Sequence, residues 1–306
     1  MNQIMEEIPT LPLEVLDVIP CKFLDVPYCS QSPAQILDIY LPQNVRSPYP
    51  VIMHFHGGAF CKGTKRDANL EPMLRGLKRG YAVVSVGYRL SGEAHFPALI
   101  YDARAAVRFI RANAEKYNLN PEKIVAWGPS AGGYIVSMLG TTQESGLFED
   151  LTMGNENVKS NVQAVVDWCG PCGGFLEMDK AILASGIGQA DHNDPSSPES
   201  RLMGFPITEN PDKVDLASPL KYATSGIPPF LIQHGACDAI VPVKQSVDFA
   251  AGLQKAVKDN RVILEVVQNI GHHGDPWFEW ESTSHRVLDF LDFVLKKSDV
   301  ETDERA

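Results

Sequence analysis

Short apolar runs alternate with longer amphipathic stretches along most of the chain. The apolar runs predict strands near residues 51–55, 82–86, 123–127, 162–166, 229–233 and 262–267. The other stretches predict helices near residues 69–79, 98–116, 131–141, 243–258 and 282–296. Such alternation is typical of an α/β fold with a mostly parallel central sheet and helices on both faces. The segment from Glu14 to Tyr40 has alternating strand-like runs, so we expect it to form an antiparallel edge of this sheet.

We expect residues 1–306 to form a single domain, because α/β folds commonly reach this length as one unit. Residues 170–222 interrupt the alternation and are rich in Gly, Pro, Ser and Asp. Their place between two predicted strands suggests an insertion that builds part of a pocket above the strand ends. Residues 1–12 and 298–306 are polar, and we expect them to be frayed.

The most informative motif is the pentapeptide Gly128-Pro129-Ser130-Ala131-Gly132, where a predicted strand turns into a predicted helix. Such a turn exposes its central serine as a nucleophile, and the flanking glycines avoid a collision between strand and helix. Ser130 would lie at a helix N-terminus, where the amide of Ala131 favours negative charge on a substrate oxygen. Glycine and serine also build ordinary turns, so the motif needs support from other segments.

A glycine-rich segment after the first predicted parallel strand offers such support. It reads His56-Gly57-Gly58-Ala59-Phe60, and its amides can serve as oxyanion donors beside Ala131, with Gly58 and Ala59 as the candidates. His54 and His56 could instead form a metal pair. No third ligand is evident in the sequence, so we interpret His56 as a side chain that fastens the loop.

Two later segments supply an acid and a base. Asp238 follows the predicted strand 229–233, and His272 follows the predicted strand 262–267. The chain order Ser130, Asp238, His272 is the serine, acid, histidine order of α/β-hydrolases. Three alternatives remain open: Asp238 could cap a helix, the adjacent His273 could be the base, and the His-His-Asp cluster could bind a metal. A catalytic triad of serine, histidine and aspartate does not need a metal ion.

Together these segments resemble the α/β-hydrolase superfamily, and within it the small acetyl, acetylxylan and feruloyl-esterase-like enzymes. The resemblance covers roughly residues 35–297. Further matching segments are Ser85-Val86-Gly87-Tyr88-Arg89-Leu90-Ser91, Phe96-Pro97-Ala98, Asp102, Ala105-Ala106-Val107-Arg108 and Ser197-Pro198-Glu199-Ser200-Arg201-Leu202-Met203-Gly204. The chain departs from the family pattern at Ala59, where many relatives have a third glycine, and at Gly87, where they often have asparagine. Neither change removes a backbone amide.

The resemblance implies the α/β-hydrolase fold and a serine carboxylesterase that acts through an acyl-enzyme, without a metal or organic cofactor. It also implies short acyl groups, acetyl above all, on hemicellulose-derived carbohydrates. Arylformamidases and small peptidases share the same triad and are alternatives. A non-catalytic binding protein on this fold is a further alternative, although such relatives typically lose a triad member.

A different function is indicated by Trp168-Cys169-Gly170-Pro171-Cys172, which matches the redox motif of thioredoxins. A redox pair needs an exposed thiol at a helix N-terminus, whereas Gly173-Gly174 is a poor helix start. We therefore favour a loop whose Trp168 and Pro171 line the substrate pocket, with incidental cysteines. The chain has six cysteines and no evident signal peptide, so we expect reduced thiols, with a Cys169–Cys172 disulfide left open.

The charge balance narrows the possible partners. The net charge of −11 disfavours nucleic acid and anionic membrane surfaces, which leaves a small-molecule or oligosaccharide ester as the expected partner. No apolar run reaches the length of a membrane span, so the expected location is cytoplasmic. The oligomeric state does not follow from the sequence.

Overall fold

The computed structural model describes residues 8–273 and 276–303. Within these residues, eight strands form one sheet in the order β1-β2-β4-β3-β5-β6-β7-β8. The strands are β1 (Lys22–Pro27), β2 (Ile36–Tyr40), β3 (Tyr49–Phe55), β4 (Ala82–Val86), β5 (Leu119–Pro129), β6 (Ala164–Trp168), β7 (Phe230–Gly235) and β8 (Val262–Val267). Strand β2 is antiparallel to both β1 and β4, and the pairs from β4 to β8 are parallel. The mostly parallel sheet with an antiparallel edge is therefore confirmed.

The helices of the described residues are α1 (Leu13–Asp17), α2 (Glu71–Leu74), α3 (Ala98–Ala112), α4 (Ala131–Thr141), α5 (Met178–Ser185), α6 (Pro198–Met203), α7 (Pro211–Asp215), α8 (Lys244–Ala256), α9 (Pro276–Glu279) and α10 (Glu281–Asp303). Four of them, α3, α4, α8 and α10, lie where the sequence predicts helices. The helix expected over 69–79 is instead broken into α2 and two 3₁₀ turns, which end at the left-handed Gly80. Helix α1 was not predicted. None of the described helices has both the length and the apolar character needed to cross a membrane.

Two hydrophobic clusters cover opposite faces of the sheet, because side chains alternate along each strand. In β3, Met53 and Phe55 pack on one face with Tyr134 of α4, whereas Ile52 packs on the other face with Leu288 of α10. The same alternation holds in β4 to β7, whose apolar residues are divided between the two clusters. A sheet buried on both faces reads as continuous apolar runs, which is why these strands were predictable.

The first described residues are hydrogen-bonded to a distant segment of the chain. The amide of Ala68 donates to the carbonyl of Pro9 at 2.8 Å, and the amide of Leu11 donates to the carbonyl of Arg66 at 2.9 Å. These bonds tie the N-terminal segment to the loop after β3. Helix α10 continues through residues 298–303. Residues 1–7 and 304–306, also expected to be frayed, lie outside the described residues.

The carboxyl ends of the parallel strands meet at one edge of the sheet, where open α/β sheets place their binding sites. The turn after β5 carries Ser130, the loop after β7 carries Asp238, and the loop after β8 carries His272. Residues 170–222 follow β6 and contain α5, α6 and α7. Pro171, His192 and Glu199 of this segment line the same cavity as Ser130.

Candidate active site

The turn between β5 and α4 has the geometry expected around Ser130. Ser130 adopts φ 54° and ψ −119°, a strained conformation for a residue with a side chain. A Cβ atom on Gly132 would lie 1.9 Å from the carbonyl oxygen of Phe55, and one on Gly128 would lie 2.5 Å from the carbonyl carbon of Gly132. Both glycines are therefore required by close backbone packing. The amide of Ser130 donates to the carbonyl of Trp168 at 2.7 Å, which fixes the turn against β6.

A cavity of about 250 Å³ lies over this turn. Ser130 lines it and is 7 % exposed. The other predicted site residues that line the cavity are Gly58, Ala59, Ala131, Pro171 and His272. Residues from three strand-end loops and from the 170–222 segment thus meet around one serine side chain.

His272 is paired with Asp238 beneath the cavity. Nδ1 of His272 lies 2.6 Å from Oδ2 of Asp238, which is a hydrogen-bond distance. Because an ionised carboxylate can only accept, Nδ1 carries the proton. Nε2 of a neutral His272 is then the acceptor nitrogen. This is the tautomer that a general base needs to take a proton from a serine hydroxyl.

Asp238 is buried and has donors on both oxygens. Its Oδ1 accepts the amides of Ile240 and Val241, each at 2.9 Å. Its Oδ2 also lies 3.0 Å from Nε2 of His234. Burial favours the neutral carboxyl, but the charge of His272 and the hydrogen bonds from the two histidines outweigh it and hold the pKa of Asp238 well below its ordinary value. Asp238 therefore remains ionised, as required of a group that stabilises an imidazolium.

His234 is a site residue that the sequence reasoning missed. Its Nε2 lies 2.9 Å from the carbonyl oxygen of Val241, which can only accept, so Nε2 carries a proton and can also donate to Asp238. Its Nδ1 lies 2.6 Å from Oγ of Ser246. The signal in the sequence was a histidine four residues before the acid, at the end of the strand. His234 thus contacts the same carboxylate oxygen of Asp238 as His272 does.

His273, the alternative base, has different surroundings. It lines the cavity, but its Nε2 would lie 3.2 Å from a Cβ atom placed on Gly57, so its ring packs against the glycine-rich loop. Burial and the neighbouring charge of His272 lower the pKa of His273 to about 3. A histidine with so low a pKa is a poor proton acceptor near neutral pH. This geometry favours His272 over His273.

The glycine-rich loop presents its amides to the cavity. Gly58 and Ala59 have φ values of 116° and 52°, and a Cβ atom on Gly58 would lie 2.2 Å from the carbonyl oxygen of Lys62. In the backbone hydrogen bonds of the described residues, the amides of Gly58, Ala59 and Ala131 have no acceptor. Ala131 is the first residue of α4, where an amide lacks an intrahelical partner. The three amides are thus available for an oxyanion.

The two upstream histidines are held by protein groups. Nδ1 of His54 lies 3.0 Å from Oγ of Ser85, and Nδ1 of His56 lies 2.7 Å from the carbonyl oxygen of Gly57. The ring of His56 also stacks on Tyr88, whose hydroxyl donates to the carbonyl of His56 at 2.8 Å. These contacts fit a residue that fastens the loop.

Cys169 lies beside the Asp238 and His272 pair, and ligand atoms of the three residues all lie within 4.8 Å of one another. They do not fit a metal ion in this arrangement. The 2.6 Å separation between His272 and Asp238 is a hydrogen bond, whereas two ligands at about 2.0 to 2.2 Å from one ion lie roughly 3 Å or more apart. The chemistry of this cluster is proton transfer.

The thioredoxin-like motif is buried. Both thiols are free, and burial raises the pKa of Cys169 and of Cys172 well above the ordinary value. The Cys172 thiol donates to Oδ2 of Asp167 at 3.3 Å. A redox-active first thiol needs exposure and a lowered pKa, so this environment opposes redox chemistry.

Trp168 departs from its expected place, whereas Pro171 lines the cavity of Ser130. The indole of Trp168 donates to Oε1 of Gln233 at 2.6 Å and packs edge-on against Trp127. These contacts hold the ring at an adjoining cavity, shared with Pro129 and His273. At the Ser130 turn, Trp168 contributes its backbone carbonyl, which accepts the hydrogen bond from the amide of Ser130.

Comparison with known proteins supports this arrangement at the level of the family. Residues 37–253 match the BD-FAE family. A truncated carbohydrate esterase from gut microbiota is 31 % identical, with a TM-score of 0.78, and the match covers 96 % of this chain and 100 % of that one. A bifunctional GH43-CE protein from Bacteroides eggerthii is 32 % identical, with a TM-score of 0.79, over 90 % of this chain and 35 % of that one.

Curated relatives are also esterases. Esterase LipC of Mycobacterium tuberculosis is 29 % identical over 86 % of this chain and 63 % of its own length. The probable carboxylic ester hydrolase LipM of the same organism is 28 % identical over 79 % of this chain and 54 % of its own length. The chain therefore spans between about half and two thirds of the length of these curated relatives.

Proposed function

The chain belongs to the BD-FAE family of α/β-hydrolase esterases, and we propose that it hydrolyses short-chain acyl esters, acetyl above all, of hemicellulose-derived carbohydrates. In this proposal Ser130 is the nucleophile, His272 the general base and Asp238 the acid that orients it. The proposal rests on one observation above the others: the 2.6 Å bond between His272 and Asp238 in a cavity that His272 shares with Ser130.

The reaction has two halves. Nε2 of His272 takes the Ser130 proton while Oγ of Ser130 attacks the ester carbonyl, and Asp238 stabilises the resulting imidazolium. The amides of Gly58, Ala59 and Ala131 bind the oxyanion, the imidazolium returns its proton to the leaving alcohol, and an acyl-enzyme remains. His272 then takes a proton from water, whose oxygen attacks the acyl carbonyl. The bond to Oγ of Ser130 breaks, the imidazolium returns the proton to that oxygen, and the acid is released. No step requires a metal or an organic cofactor.

Two further observations support the choice of substrate. The cavity volume of about 250 Å³ lies below the 300 to 1,000 Å³ of typical ligand pockets, which favours a small acyl group. Two of the similar solved structures are described as a carbohydrate esterase and as a bifunctional protein with a CE part. A short acyl group on a carbohydrate alcohol satisfies both observations.

A panel of p-nitrophenyl esters from acetyl to decanoyl tests the preference for acyl length. Acetylated xylan tests a carbohydrate alcohol, and a feruloyl ester tests an aromatic acyl group. We expect the highest kcat/KM for acetyl among the aryl esters and release of acetate from the xylan. A preference for decanoyl would refute the short-acyl proposal, and an absence of acetate release would refute the carbohydrate part. An aryl formamide in the same panel separates an esterase from an arylformamidase.

A further inference from the structure

A buried histidine and glutamate form part of the wall of the Ser130 cavity. His192 and Glu199 both line this cavity and are each 4 % exposed. The proposed catalytic steps use neither of them. Buried ionisable groups in a cavity wall are uncommon without a paired or ligand-binding role.

The backbone holds the two residues in place independently of their side chains. The amide of His192 donates to Oδ1 of Asp179 at 2.9 Å. Ser197 caps α6 by accepting the amide of Ser200 at 3.1 Å, and Pro198 begins the helix immediately before Glu199. A change of the Glu199 side chain therefore leaves both backbone supports intact.

The protonation of His192 follows from its partners. Nε2 lies 2.9 Å from the carbonyl oxygen of Ile240, so Nε2 carries a proton and donates it. Nδ1 lies 3.2 Å from Oε2 of Glu199, and a neutral ring would turn a lone pair toward that carboxylate. Burial opposes the charged ring, but the close contact with Glu199 and its negative charge outweigh burial and raise the pKa of His192. The pair therefore favours an imidazolium beside a carboxylate.

This pair leaves hydrogen-bonding capacity unused. Nδ1 of His192 and Oε2 of Glu199 are close but not aligned as a regular hydrogen bond, so both atoms remain without one. Among the described residues, Oε2 of Glu199 therefore has no hydrogen-bond donor. A carboxylate has about four acceptor positions, and a buried carboxylate oxygen that lacks a donor is costly. A ligand that brings hydrogen-bond donors into the cavity would satisfy it.

We propose that Glu199, paired with His192, accepts hydrogen bonds from hydroxyl groups of the substrate's alcohol moiety, so that the cavity selects esters of polyhydroxylated alcohols. This inference rests on the proposed esterase function and specifies its substrate recognition. A neutral hydroxyl fits better than an ammonium group, because the His192 imidazolium balances the charge of the Glu199 carboxylate.

The recognition residues are also connected to the catalytic acid. The carbonyl of Ile240 accepts from His192, and the amide of Ile240 donates to Oδ1 of Asp238 at 2.9 Å. The subsite and the acid are thus attached to one loop. This attachment fixes the distance between the recognised hydroxyl groups and the group that orients the base.

The test compares two substrates with the same acyl group. The quantity measured is kcat/KM for an acetylated xylose divided by kcat/KM for p-nitrophenyl acetate, whose alcohol has no sugar hydroxyl groups. The variants are Glu199→Leu, which removes the acceptors, and Glu199→Gln, which keeps the shape and one neutral acceptor. Glu209→Gln, at an exposed position of the same segment, is the matched control. Thermal unfolding of each variant establishes that it is folded.

We expect the ratio to fall roughly 10- to 100-fold in Glu199→Leu, as lost hydrogen bonds to a charged group imply, and less in Glu199→Gln. The control should keep the wild-type ratio. An unchanged ratio in Glu199→Gln and Glu199→Leu, or an equal loss on both substrates, would overturn the inference. If Glu199→Leu does not fold, Glu199→Gln decides by the same criterion.

Assays of the wild-type protein show whether only the Glu199 subsite is refuted or the proposed carbohydrate function as well. If it hydrolyses acetylated xylose but the ratio does not depend on Glu199, the subsite is refuted and the proposed function stands. If it hydrolyses p-nitrophenyl acetate but not acetylated xylose, both the carbohydrate function and the subsite are refuted. Faster wild-type hydrolysis of acetylcholine than of acetylated xylose, lost in Glu199→Gln, would assign the carboxylate to a cation and overturn the hydroxyl assignment.

Discussion

Replacing Gly132 with alanine tests the steric basis of the turn around Ser130. The added Cβ atom would lie 1.9 Å from the carbonyl oxygen of Phe55 and 2.9 Å from the carbonyl oxygen of His56. Ordinary contact begins near 3.4 Å, so the first pair of atoms must separate by about 1.5 Å. Both oxygens belong to backbone that cannot rotate away as a side chain would. Relief of the clash must therefore move the Ser130 turn away from the glycine-rich loop.

The magnitude of the effect follows from this displacement. Inserting one carbon into a packed interior typically costs about 1 to 3 kcal/mol, and a clash with central backbone lies at the upper end of that range. A misplacement of about 1 Å in a catalytic group can reduce the rate roughly 100-fold. We therefore expect Gly132→Ala to lose about 3 kcal/mol in the free energy of unfolding and at least about 100-fold in kcat.

The assay combines urea unfolding with p-nitrophenyl acetate hydrolysis. Gly92→Ala is the matched control, because a Cβ atom at Gly92 would meet no atom within 4 Å. This control should keep wild-type kcat and change the unfolding free energy by less than about 1 kcal/mol. A Gly132→Ala variant with wild-type stability and kcat within threefold of wild type would refute the steric reasoning.

Three further predictions concern the histidines and thiols. His272→Ala should reduce kcat by at least about 1,000-fold, whereas His273→Ala should keep a measurable rate; the reverse order in steady-state assays would make His273 the base. The pKa of His273 is lowered to about 3. The contribution of its neutral ring to the free energy of unfolding should therefore be fully present above pH 6.5 and decrease as the pH falls toward 3. Measured by urea unfolding between pH 6.5 and 3, the free energy of unfolding should decrease less in His273→Gln than in the wild type. The same decrease in both proteins would contradict a neutral buried ring at His273. Because Cys169 and Cys172 are buried free thiols, dithiothreitol should not change native esterase activity, and insulin reduction should be absent; insulin reduction that Cys172→Ser abolishes would contradict this.

Strands β4, β6 and β7 were predictable because they are buried on both faces. β4 and β8 begin and end at the predicted residues, since continuous apolar runs leave little choice of conformation. The prediction of one helix over 69–79 was wrong, because the segment forms the short helix α2 between two 3₁₀ turns and ends before the left-handed Gly80. The pairing of residues 9–11 with residues 66–68 was not predictable, because it depends on a contact between distant segments that no local pattern encodes.

The candidate site was predictable where a residue type and its strand end are both visible in the sequence. Ser130, Asp238 and His272 each follow an apolar run, so their meeting at one edge follows from the parallel sheet. Glu199 follows no predicted strand, and the position of His234 at a strand end did not reveal its contact with Asp238. Their contacts depend on how the loop after β7 and the 170–222 segment pack over the strands, which the sequence pattern does not specify. The position of Trp168 at the adjoining cavity was not predictable for a related reason, since its partner Gln233 lies on another strand.

Covalent labelling tests the central claim, that Ser130 is the nucleophile, most directly. The folded protein is incubated with diethyl p-nitrophenyl phosphate, which reacts with an activated serine, and the modified peptide is identified by mass spectrometry. We predict one diethylphosphoryl group on Ser130 together with complete loss of esterase activity, and neither labelling nor activity in Ser130→Ala. Labelling of a different residue, or ester hydrolysis by a folded Ser130→Ala variant at the wild-type rate, would contradict the claim.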